Sequence, residues 1–372
     1  MIILISRKDI KDTRSGVPRN ILRQIEFFTA KGHSVYVIAE RIDSEMISSA
    51  GGKPVKTLRL PISGYFRRKF YQYQSLLWIK QHCPELIISH GDIETQDVLC
   101  MHNCTHLAHE RIFSKPLPDN NEAGKIHRDI LTNARFKLLI CNSHLMRNDF
   151  IDRFGINSDK AEVIYQEVKT SDFNSDEYFL LRSEMRASYK ITSDKRIIGL
   201  ITSGNFKKRN VATLIDAFAI LSAEFSDIVL FIAGADNSSP YIAQARKLGI
   251  GEKTIFAPSI MEVKRYYYMI DIFVLPALIE EFGKSVLEAM YCKKPVIVSK
   301  YTGSAEIIES LSRNFILEKN DSNDIAEKLS MLLKSGELME KVAAVNYNTS
   351  LKYTSDKLSE QFYLTLIKHD LL

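Results

Sequence analysis

The sequence predicts an α/β protein of two domains, each built on a parallel β-sheet with helices on its faces. The chain has 372 residues, and a domain usually takes roughly 100–200 residues. Short apolar runs alternate with helical patterns, which is typical of βα units. The alternation stops in a polar, charged stretch at 166–189 and then begins again. We interpret that stretch as a linker between the domains.

The first half opens with a strand, a loop, a helix and a second strand. Met1–Ser6 is short and apolar, as a buried parallel strand would be. Asn20–Lys31 has its apolar residues at helical spacing, and Gly32 can end that helix before a strand at Val35–Ala39. Further strands are predicted at Glu85–Ser89, Asp97–Met101, Lys137–Cys141 and Glu162–Tyr165, with a helix at Leu145–Phe154.

The second half repeats the pattern. Strands are predicted at Arg196–Thr202, Ile228–Gly234, Thr254–Ala257, Ile272–Pro276 and Pro295–Ser299. Helices are predicted at Val211–Phe225, Tyr241–Leu248, Met261–Met269 and Lys284–Tyr291. Two such blocks predict two Rossmann-like domains facing a cleft, with ligands bound at the carboxyl ends of the strands.

Composition excludes several classes of protein. The residues are 45% hydrophobic and 26% charged, which suits folded cores rather than a disordered chain. A net charge of +5 is too mild for a dedicated nucleic-acid binder. Every apolar run is too short to span a bilayer, and Met1–Ser6 lacks the features of a signal peptide. The five cysteines are odd in number and irregularly spaced, so we expect no disulfides and a cytoplasmic location.

Two dense clusters of functional side chains have alternative interpretations. Five possible metal ligands lie close together, at Cys100, His102, Cys104, His106 and His109. Their spacing fits no established zinc pattern, so we predict no metal site. The range 53–80 contains seven basic residues and no acidic one, interleaved with aromatic residues. This region could bind phosphate or anionic lipid, or it could be an amphipathic helix that covers its own core.

The strongest functional signal lies where a strand ends at Pro276. Glu280 occupies the following loop, Gly283 precedes a helix, and Glu288 lies about one turn into that helix. Free N–H groups at the start of that helix could hold a diphosphate, and a glycine lets the ligand come close. Glu288 could bind a ribose diol and Glu280 a sugar hydroxyl. The alternative is that these are ordinary first-turn glutamates, favoured by the helix dipole.

The segment from Pro276 to Glu306 resembles the Glu-x7-Glu signature of the retaining glycosyltransferases of family 4, which have the GT-B fold. The matching residues are Glu280, Phe282, Gly283, Glu288, Ala289, Met290, Pro295, Val296, Gly303 and Glu306. Residues that depart from the family pattern are Ala277, Glu281, Lys294 and Ser304. Glu281 replaces a glycine and adds a carboxylate beside the expected donor-sugar pocket.

Other segments extend the resemblance. Ser15-Gly16-Val17 looks like the family's opening glycine loop, which implies that Gly16 lies against the donor. In the loop 203–210, Lys208 and Arg209 align with a basic pair that grips the diphosphate. Fixed cations there would stabilise the charge that develops on the leaving phosphate. Segment 257–260 resembles the loop that receives the nucleotide base, and the strand end at His102 resembles the place of a cleft histidine, with Asn103 the competing candidate.

The resemblance implies a set of site residues. The catalytic candidates are His102, Asn103, Lys208, Arg209 and Glu280. The donor-binding candidates are Gly16, Ser259, Ile260, Glu281, Phe282, Gly283, Lys284, Ser285 and Glu288. The resemblance also implies an acceptor-side domain at 1–168, a donor domain at 169–354, and a last helix at 355–372 that crosses back to the first domain.

The reaction implied is transfer of a hexose from a nucleoside diphosphate sugar, with retention, to a glycan or glycolipid hydroxyl. A UDP-sugar donor, a lipopolysaccharide core or surface polysaccharide acceptor, and no metal or other cofactor are expected. The basic helical region suggests contact with anionic membrane at the inner face of the cell membrane. Alternatives are a GT-B epimerase and a non-catalytic sugar-nucleotide-binding protein. A dehydrogenase is disfavoured because no Gly-x-Gly-x-x-Gly follows the first strand.

Overall fold

The computed structural model of the chain describes residues 1–11, 16–61, 64–132, 135–173 and 177–372. The chain forms two compact units. The first unit comprises residues 1–165 together with 355–372, and the second comprises 166–354. The boundary thus falls between residues 165 and 166, three residues before the one expected from the sequence.

The first unit alternates strands and helices from its amino end. Its strands are β1 (Ile2–Ser6), β2 (Asp9–Ile10), β3 (Ser34–Ala39), β4 (Arg41–Ile42), β5 (Lys53–Lys56), β6 (Leu86–Ser89), β7 (Val98–Cys100), β8 (Leu138–Cys141) and β9 (Ala161–Val163). Its helices up to residue 165 are α1 (Gly16–Ala30), α2 (Ser44–Ser49), α3 (Gly64–His82), α4 (Thr105–Phe113), α5 (Glu122–Thr132) and α6 (His144–Phe154).

In the described part of this unit, seven strands form a parallel sheet in the order β5-β3-β1-β6-β7-β8-β9. The chain runs outward from β1 to β5 on one side and then from β6 to β9 on the other. The topological switch point therefore lies between β1 and β6, and their carboxyl ends are the expected place for ligands. β1 is buried from Ile3 to Ser6, because helices cover both faces of the sheet.

The second unit repeats this architecture. Its strands are β10 (Arg196–Ile201), β11 (Ile228–Ala233), β12 (Thr254–Ala257), β13 (Ile272–Leu275), β14 (Val296–Ser299) and β15 (Ile316–Leu317). Its helices are α7 (Tyr178–Ser188), α8 (Val211–Ser222), α9 (Ser239–Lys247), α10 (Lys264–Met269), α11 (Lys284–Tyr291), α12 (Ser322–Lys334) and α13 (Gly336–Ser350). Over its described residues the parallel sheet has the order β12-β11-β10-β13-β14-β15, with the switch point between β10 and β13.

The last helix of the chain, α14 (Ser355–Lys368), belongs to the first unit. It packs on α1, where the rings of Phe28 and Phe362 meet edge to face with centroids 6.1 Å apart. Leu358 and Leu366 are also buried. Lys31 of the segment after α1 lies 3.3 Å from Glu360, which adds an ion pair to the apolar contact.

The interpretation of 166–189 as a linker is wrong for its second half. That part forms α7, and Arg182 on α7 lies 2.6 Å from Asp271, which precedes β13. Arg182 also donates to the backbone carbonyls of Tyr268 and Met269. Its polar composition reflects ion pairs with the rest of the second unit, so the helix is an integral part of that unit.

Candidate active site

Two loops of the second unit meet at the switch point of its sheet. Residues 202–210 follow β10 and residues 276–283 follow β13, and these two strands are hydrogen-bonded neighbours. The Leu278 N–H donates to the Lys208 carbonyl over 2.9 Å, which joins the loops directly. The sequence predicted both loops as ligand-binding, and the strand pairing brings them to one edge of the sheet.

The joined loops carry two cations against two carboxylates. Lys208 Nζ lies 2.5 Å from Glu281 Oε2 and 3.9 Å from Glu280 Oε2. Arg209 Nη2 lies 2.8 Å from Glu280 Oε2. All four side chains are between 7% and 14% exposed. The cluster is therefore neutral in formal charge, and each cation is fixed beside a carboxylate.

Glu280 sits in a setting that disfavours its charge. Burial raises the pKa of Glu280, and the nearby Lys208 and Arg209 only partly oppose this shift. Glu281 adds to it, because a second carboxylate repels the ionised form. A buried carboxyl group whose pKa is raised beside a specific charged partner is a candidate functional residue.

Backbone hydrogen bonds fix the carboxylate loop from a third segment, 301–304. The Glu280 N–H donates to the Tyr301 carbonyl over 2.9 Å, and the Gly303 N–H donates back to the Glu280 carbonyl over 2.9 Å. The Ser304 N–H donates to the carbonyl of Phe282, whose ring is buried. Main-chain contacts thus fix the loop that carries the two glutamates, in addition to their ion pairs.

Gly283 joins the carboxylate loop to α11. Its φ is +87°, and a Cβ placed there would lie 2.9 Å from Thr302 Cγ2. The position therefore requires glycine for its conformation and for space. The next two residues, Lys284 and Ser285, open the helix and are partly buried. Their N–H groups have no carbonyl four residues back within the helix, so this turn can bind an anion.

The sequence did not indicate two partners of the predicted donor-binding residues. Glu288 is 5% exposed, and its Oε2 accepts a hydrogen bond of 2.8 Å from the Tyr267 hydroxyl. Lys284 Nζ lies 3.7 Å from Glu167 Oε1. In the sequence, the run of three tyrosines at 266–268 could have pointed to the contact with Glu288. No local pattern pointed to the contact between Lys284 and Glu167.

Ser259 and Ile260 lie in the loop that follows β12. Ser259 is exposed and Ile260 is half-buried. β12 is the edge strand of the sheet, two strands from β10, so this loop lies at the same carboxyl edge as the charged loops but further along it. The Tyr266 hydroxyl donates to the Pro258 carbonyl over 2.9 Å and fixes the start of the loop.

The candidates in the first unit lie at the carboxyl edge of its own sheet or at the start of α1. His102 follows β7, and its ring is hydrogen-bonded to His90, which follows β6. Asn103 is exposed. Gly16 is the first residue of α1, and the preceding Ser15 lies outside the described residues.

The cysteine and histidine cluster is dispersed in the fold. Among the described residues, no group of three or more His, Cys, Asp or Glu side chains could hold a metal ion. His106 packs edge to face on Phe154, and His109 Nδ1 lies 2.9 Å from the Lys115 carbonyl oxygen. These residues are close in sequence but face different neighbours.

Three of the basic side chains of α3, which could bind an anion if they were free, have partners within the first unit. Arg67 Nη2 lies 2.6 Å from Glu40 Oε2, and Lys69 Nζ lies 2.6 Å from Glu94 Oε1. Arg68 is buried and donates to the Gly91 carbonyl. The acidic partners of these residues follow β3 and β6 and lie outside the range 53–80, which has no acidic residue. The local sequence therefore could not predict these pairs.

Comparisons with known proteins agree with this architecture. A family model described as "Glycosyl transferases group 1" matches residues 182–349, and one described as "Glycosyltransferase Family 4" matches residues 14–172. Two parallel-sheet units with these matches define a GT-B glycosyltransferase. The chain belongs to family 4 of these enzymes. Within the residues described, no helix is long and apolar enough to cross a membrane.

Individual relatives are distant. The chain is 24% identical over 193 residues to the N-acetyl-alpha-D-glucosaminyl L-malate synthase of Bacillus anthracis, over 50% of each chain. It is 25% identical to the capsular polysaccharide biosynthesis glycosyltransferase CapM of Staphylococcus aureus, over 46% of this chain and 45% of CapM. The matched part thus spans about half the length of these curated relatives.

Solved structures share the fold along nearly the whole chain. The lipopolysaccharide glycosyltransferase WaaG has a TM-score of 0.79 at 17% identity, covering 96% of this chain and 98% of WaaG. Anabaena Alr3699/HepE in complex with UDP-glucose has a TM-score of 0.77 at 16% identity, covering 99% of this chain and 100% of that one. At these identities the likeness establishes the fold.

Proposed function

We propose that this protein transfers a hexose from a UDP-sugar to a hydroxyl of a glycan or glycolipid acceptor, with retention at the anomeric carbon and without a metal ion. The observation that carries the proposal is the pair Lys208 and Arg209, held by Glu280 and Glu281 at the switch point of the second sheet. Cations fixed there, beside the first turn of α11, suit a diphosphate leaving group.

The chemistry of these residues gives each a role. Breaking the bond between the sugar and the diphosphate builds negative charge on the leaving phosphate, which Lys208 and Arg209 stabilise. N–H groups at the start of α11 add positive potential. Glu280 accepts from a sugar hydroxyl, and Glu288, held by Tyr267, binds the ribose diol. The departing phosphate takes the acceptor proton, with attack on the same face of the sugar.

Relatives support a polysaccharide or lipopolysaccharide acceptor and a UDP-sugar donor. CapM is a capsular polysaccharide biosynthesis glycosyltransferase, WaaG is involved in lipopolysaccharide biosynthesis, and Alr3699/HepE was solved with UDP-glucose. We extend these properties to this chain as part of the proposal. The enzyme would act in the cytoplasm, at the inner face of the cell membrane, where it would meet a lipid-linked acceptor.

A thermal-shift screen against nucleoside diphosphate sugars tests the donor. A ligand that binds only the folded protein raises its stability, so we expect UDP and one UDP-sugar to raise Tm at concentrations where other diphosphates do not. Transfer is then assayed with that donor, with and without glycolipid acceptors. Donor turnover into an epimer would contradict the proposal in favour of an epimerase, and binding without turnover would favour a non-catalytic binding protein.

Contact with an anionic membrane is a second part of the proposal, and it uses a different face of α3 from the paired arginines. Phe66, Tyr73 and Leu77 are 76%, 58% and 49% exposed, and their spacing of seven and four residues places them along one line of the helix. Lys80 is exposed one turn further along the chain. A row of exposed apolar side chains that is followed by a lysine on the same helix is suited to binding an anionic bilayer surface.

Flotation with liposomes tests this contact. We expect wild-type protein to float with anionic but not with neutral vesicles, and the double variant F66S/Y73S to lose most of the binding. Leu364→Ser on α14, where the side chain is 57% exposed, is the control for loss of an exposed apolar residue elsewhere. Unchanged flotation of the double variant would contradict the contact.

A further inference from the structure

Four basic side chains meet at the carboxyl edge of the first sheet. Arg7 and Lys8 directly follow β1, while Arg67 and Arg68 lie in the first two turns of α3. β1 and β6 flank the switch point of this sheet, where α/β folds bind ligands. All four residues belong to the first unit, so this basic group is a feature of that unit alone.

Two carboxylates face these cations, and each follows a strand that neighbours β1. Glu40, after β3, is 2% exposed and accepts from Arg67 Nε over 2.8 Å and from Arg67 Nη2 over 2.6 Å. Asp92, after β6, is 6% exposed, and its Oδ2 lies 3.2 Å from Arg7 Nη1. Its Oδ1 lies 4.0 Å from Arg68 Nη1. Glu40 therefore neutralises Arg67, whereas Asp92 is shared between two guanidinium groups.

Lys8 is the cation for which no carboxylate remains. Its main-chain N–H donates to Asp92 Oδ2 over 3.0 Å, but its ammonium group makes no ion pair or hydrogen bond with the described residues. Arg68 donates to the Gly91 carbonyl, which is neutral and does not cancel its charge. Within the described part of the chain, Arg7, Lys8 and Arg68 thus share one carboxylate, which leaves a formal surplus of two positive charges.

Other ionisable groups nearby do not remove this surplus. Glu94, which also follows β6, is paired with Lys69 over 2.6 Å. Asp129 of α5 acts on Arg68 only from beyond ion-pair distance. Burial lowers the pKa of His90 well below its ordinary value, so its ring stays neutral near pH 7. The surplus is therefore present throughout the neutral pH range.

The surplus charge affects the cations themselves. Burial lowers the pKa of Lys8, and the two arginines of α3 lower it further, against the opposing effect of the two carboxylates. Arg7 Nε is buried and meets no hydrogen-bond partner among the described residues. A cation that is destabilised by like charges and a buried donor without an acceptor are both expected where an anion binds.

A phosphate monoester matches this surplus in charge and in shape. It carries about 1.5–2 negative charges at pH 7. Its oxygens accept well from the N–H groups of a guanidinium, and an ammonium group adds a point charge. A single carboxylate would cancel only half of the surplus.

We propose that Lys8 and Arg7 bind a phosphate group of the acceptor, in a subsite formed entirely by the first unit. The assignment to the acceptor rests on the proposed function, in which Lys208 and Arg209 of the second unit bind the donor diphosphate. The anion subsite itself is a property of the first unit. The two parts can therefore be tested separately.

Thermal melts with inorganic phosphate at constant ionic strength test the subsite without any substrate. We expect phosphate to raise the Tm of Lys8→Gln by less than about half as much as that of the wild type, because a bound anion stabilises only a protein that keeps its site. Lys8→Arg, which keeps the charge, should retain the gain. Lys11→Gln, at an exposed lysine outside the group, is the control. An equal gain in Lys8→Gln and the wild type would overturn the subsite.

The Tm in the absence of phosphate separates anion binding from a structural ion pair. A lysine whose folded-state pKa is lowered is destabilising while it is charged, so Lys8→Gln should melt no lower than the wild type in dilute chloride buffer. Added salt screens the repulsion and should reduce any difference. A lower Tm of Lys8→Gln would mean that Lys8 is already paired, and would overturn the surplus of charge.

Two probes distinguish the source of the phosphate. Glucose 6-phosphate supplies a soluble sugar phosphate, and vesicles of phosphatidylcholine with phosphatidic acid supply a headgroup at a bilayer surface. Lys8→Gln should lose about tenfold in affinity for glucose 6-phosphate, because one charged hydrogen-bonding group contributes at that level. It should float with the vesicles as the wild type does, because Lys8 is partly buried. Loss of flotation in Lys8→Gln would assign the phosphate to a membrane lipid and overturn the acceptor role.

Transfer kinetics test the assignment to the acceptor. In Lys8→Gln, the KM for a phosphorylated glycan acceptor should rise about tenfold while the donor KM stays unchanged. After phosphatase treatment of the acceptor, the two proteins should have the same KM. An unchanged acceptor KM, or a raised donor KM, would overturn the assignment. A protein that binds phosphate through Lys8 but transfers no sugar would refute the proposed function and leave the subsite intact.

Discussion

The residue Glu281 marks the clearest chemical departure of this chain from its family. Where a glycine is usual, a carboxylate lies 2.5 Å from Lys208, the cation that we propose meets the donor diphosphate. Glu281 is 5% exposed, so the pair is largely desolvated and its attraction is stronger than at a surface. We infer that Glu281 holds Lys208 in place and that donor phosphate must compete for the same ammonium group.

The first prediction concerns Lys208. Lys208→Ala should lower kcat for sugar transfer by about 100-fold or more, because a fixed charge on the leaving group contributes at that level. Steady-state transfer assays and a thermal melt of each protein measure the effect. Lys207→Ala, at the exposed neighbouring position, should remain near wild type. Equal activity of the two variants would contradict the site.

The second prediction concerns Glu281. Glu281→Gln removes the carboxylate but keeps the shape of the side chain, so Lys208 becomes available to phosphate. The Kd for UDP should fall by about threefold to tenfold at low salt, and the gain should shrink as salt rises. Isothermal titration calorimetry at two ionic strengths measures this, with Glu262→Gln on the exposed surface as control. A weaker affinity in Glu281→Gln would mean that the carboxylate itself contacts the donor.

The third prediction follows from the raised pKa of Glu280. An acid with a raised folded-state pKa contributes stability at low pH that is lost as the pH rises through that pKa. Glu280→Gln cannot ionise, so its Tm relative to wild type should increase between pH 4 and pH 7. Thermal melts across this range measure the difference. A constant difference would show that burial does not penalise the charge.

At the scale of elements, the junction between β13 and α11 shapes the site. Gly283 has a positive φ and faces Thr302, and three backbone hydrogen bonds tie the loop before it to segment 301–304. The helix can therefore begin close to the ligand edge of the sheet, with its first N–H groups directed there. A side chain at this residue would disturb both the loop and the start of the helix.

The fourth prediction separates the conformational cost of a side chain at Gly283 from the steric cost of its contact with Thr302. Gly283→Ala should destabilise the second unit by more than Gly249→Ala, which has a φ of +74° but no atom within 4 Å of the added Cβ. The conformational cost alone is about 1–2 kcal/mol, and the contact with Thr302 adds to it at Gly283. Urea denaturation of both variants measures the difference. Equal losses would show that the loop relaxes freely around the new methyl group.

At the scale of the whole molecule, the chain forms two units, and the first is completed by its last helix. Phe362 on α14 is 6% exposed and packs on Phe28, so the first unit depends on residues at both ends of the sequence. The charged loops lie wholly in the second unit. We therefore expect the stability of the first unit and the proposed binding of a diphosphate to depend on different residues.

The fifth prediction uses differential scanning calorimetry. Phe362→Ala should destabilise the first unit by about 3 kcal/mol and leave the second unchanged. UDP at about 100 times its Kd should stabilise the second unit by about 2.7 kcal/mol. Phe179→Ala, where the ring is 81% exposed, is the control. If UDP also raised the midpoint of the unfolding transition that Phe362→Ala lowers, the assignment of UDP binding to the second unit alone would be contradicted.

The sequence by itself predicted most of the buried strands, several of the helices and the signature residues, because hydrophobic periodicity and the Glu-x7-Glu spacing are local. It did not predict β5, β15, α12 or α13. It also indicated Lys208 and Arg209 as phosphate-binding cations. The tertiary structure decided which charges meet. It paired Lys208 with Glu281, placed Tyr267 against Glu288, tied Arg67 to Glu40, and aligned His90 with His102 through Gln24. Such contacts join residues that are far apart in the chain, because parallel strands bring distant loops to one edge of a sheet. A local sequence pattern cannot predict which of these residues meet.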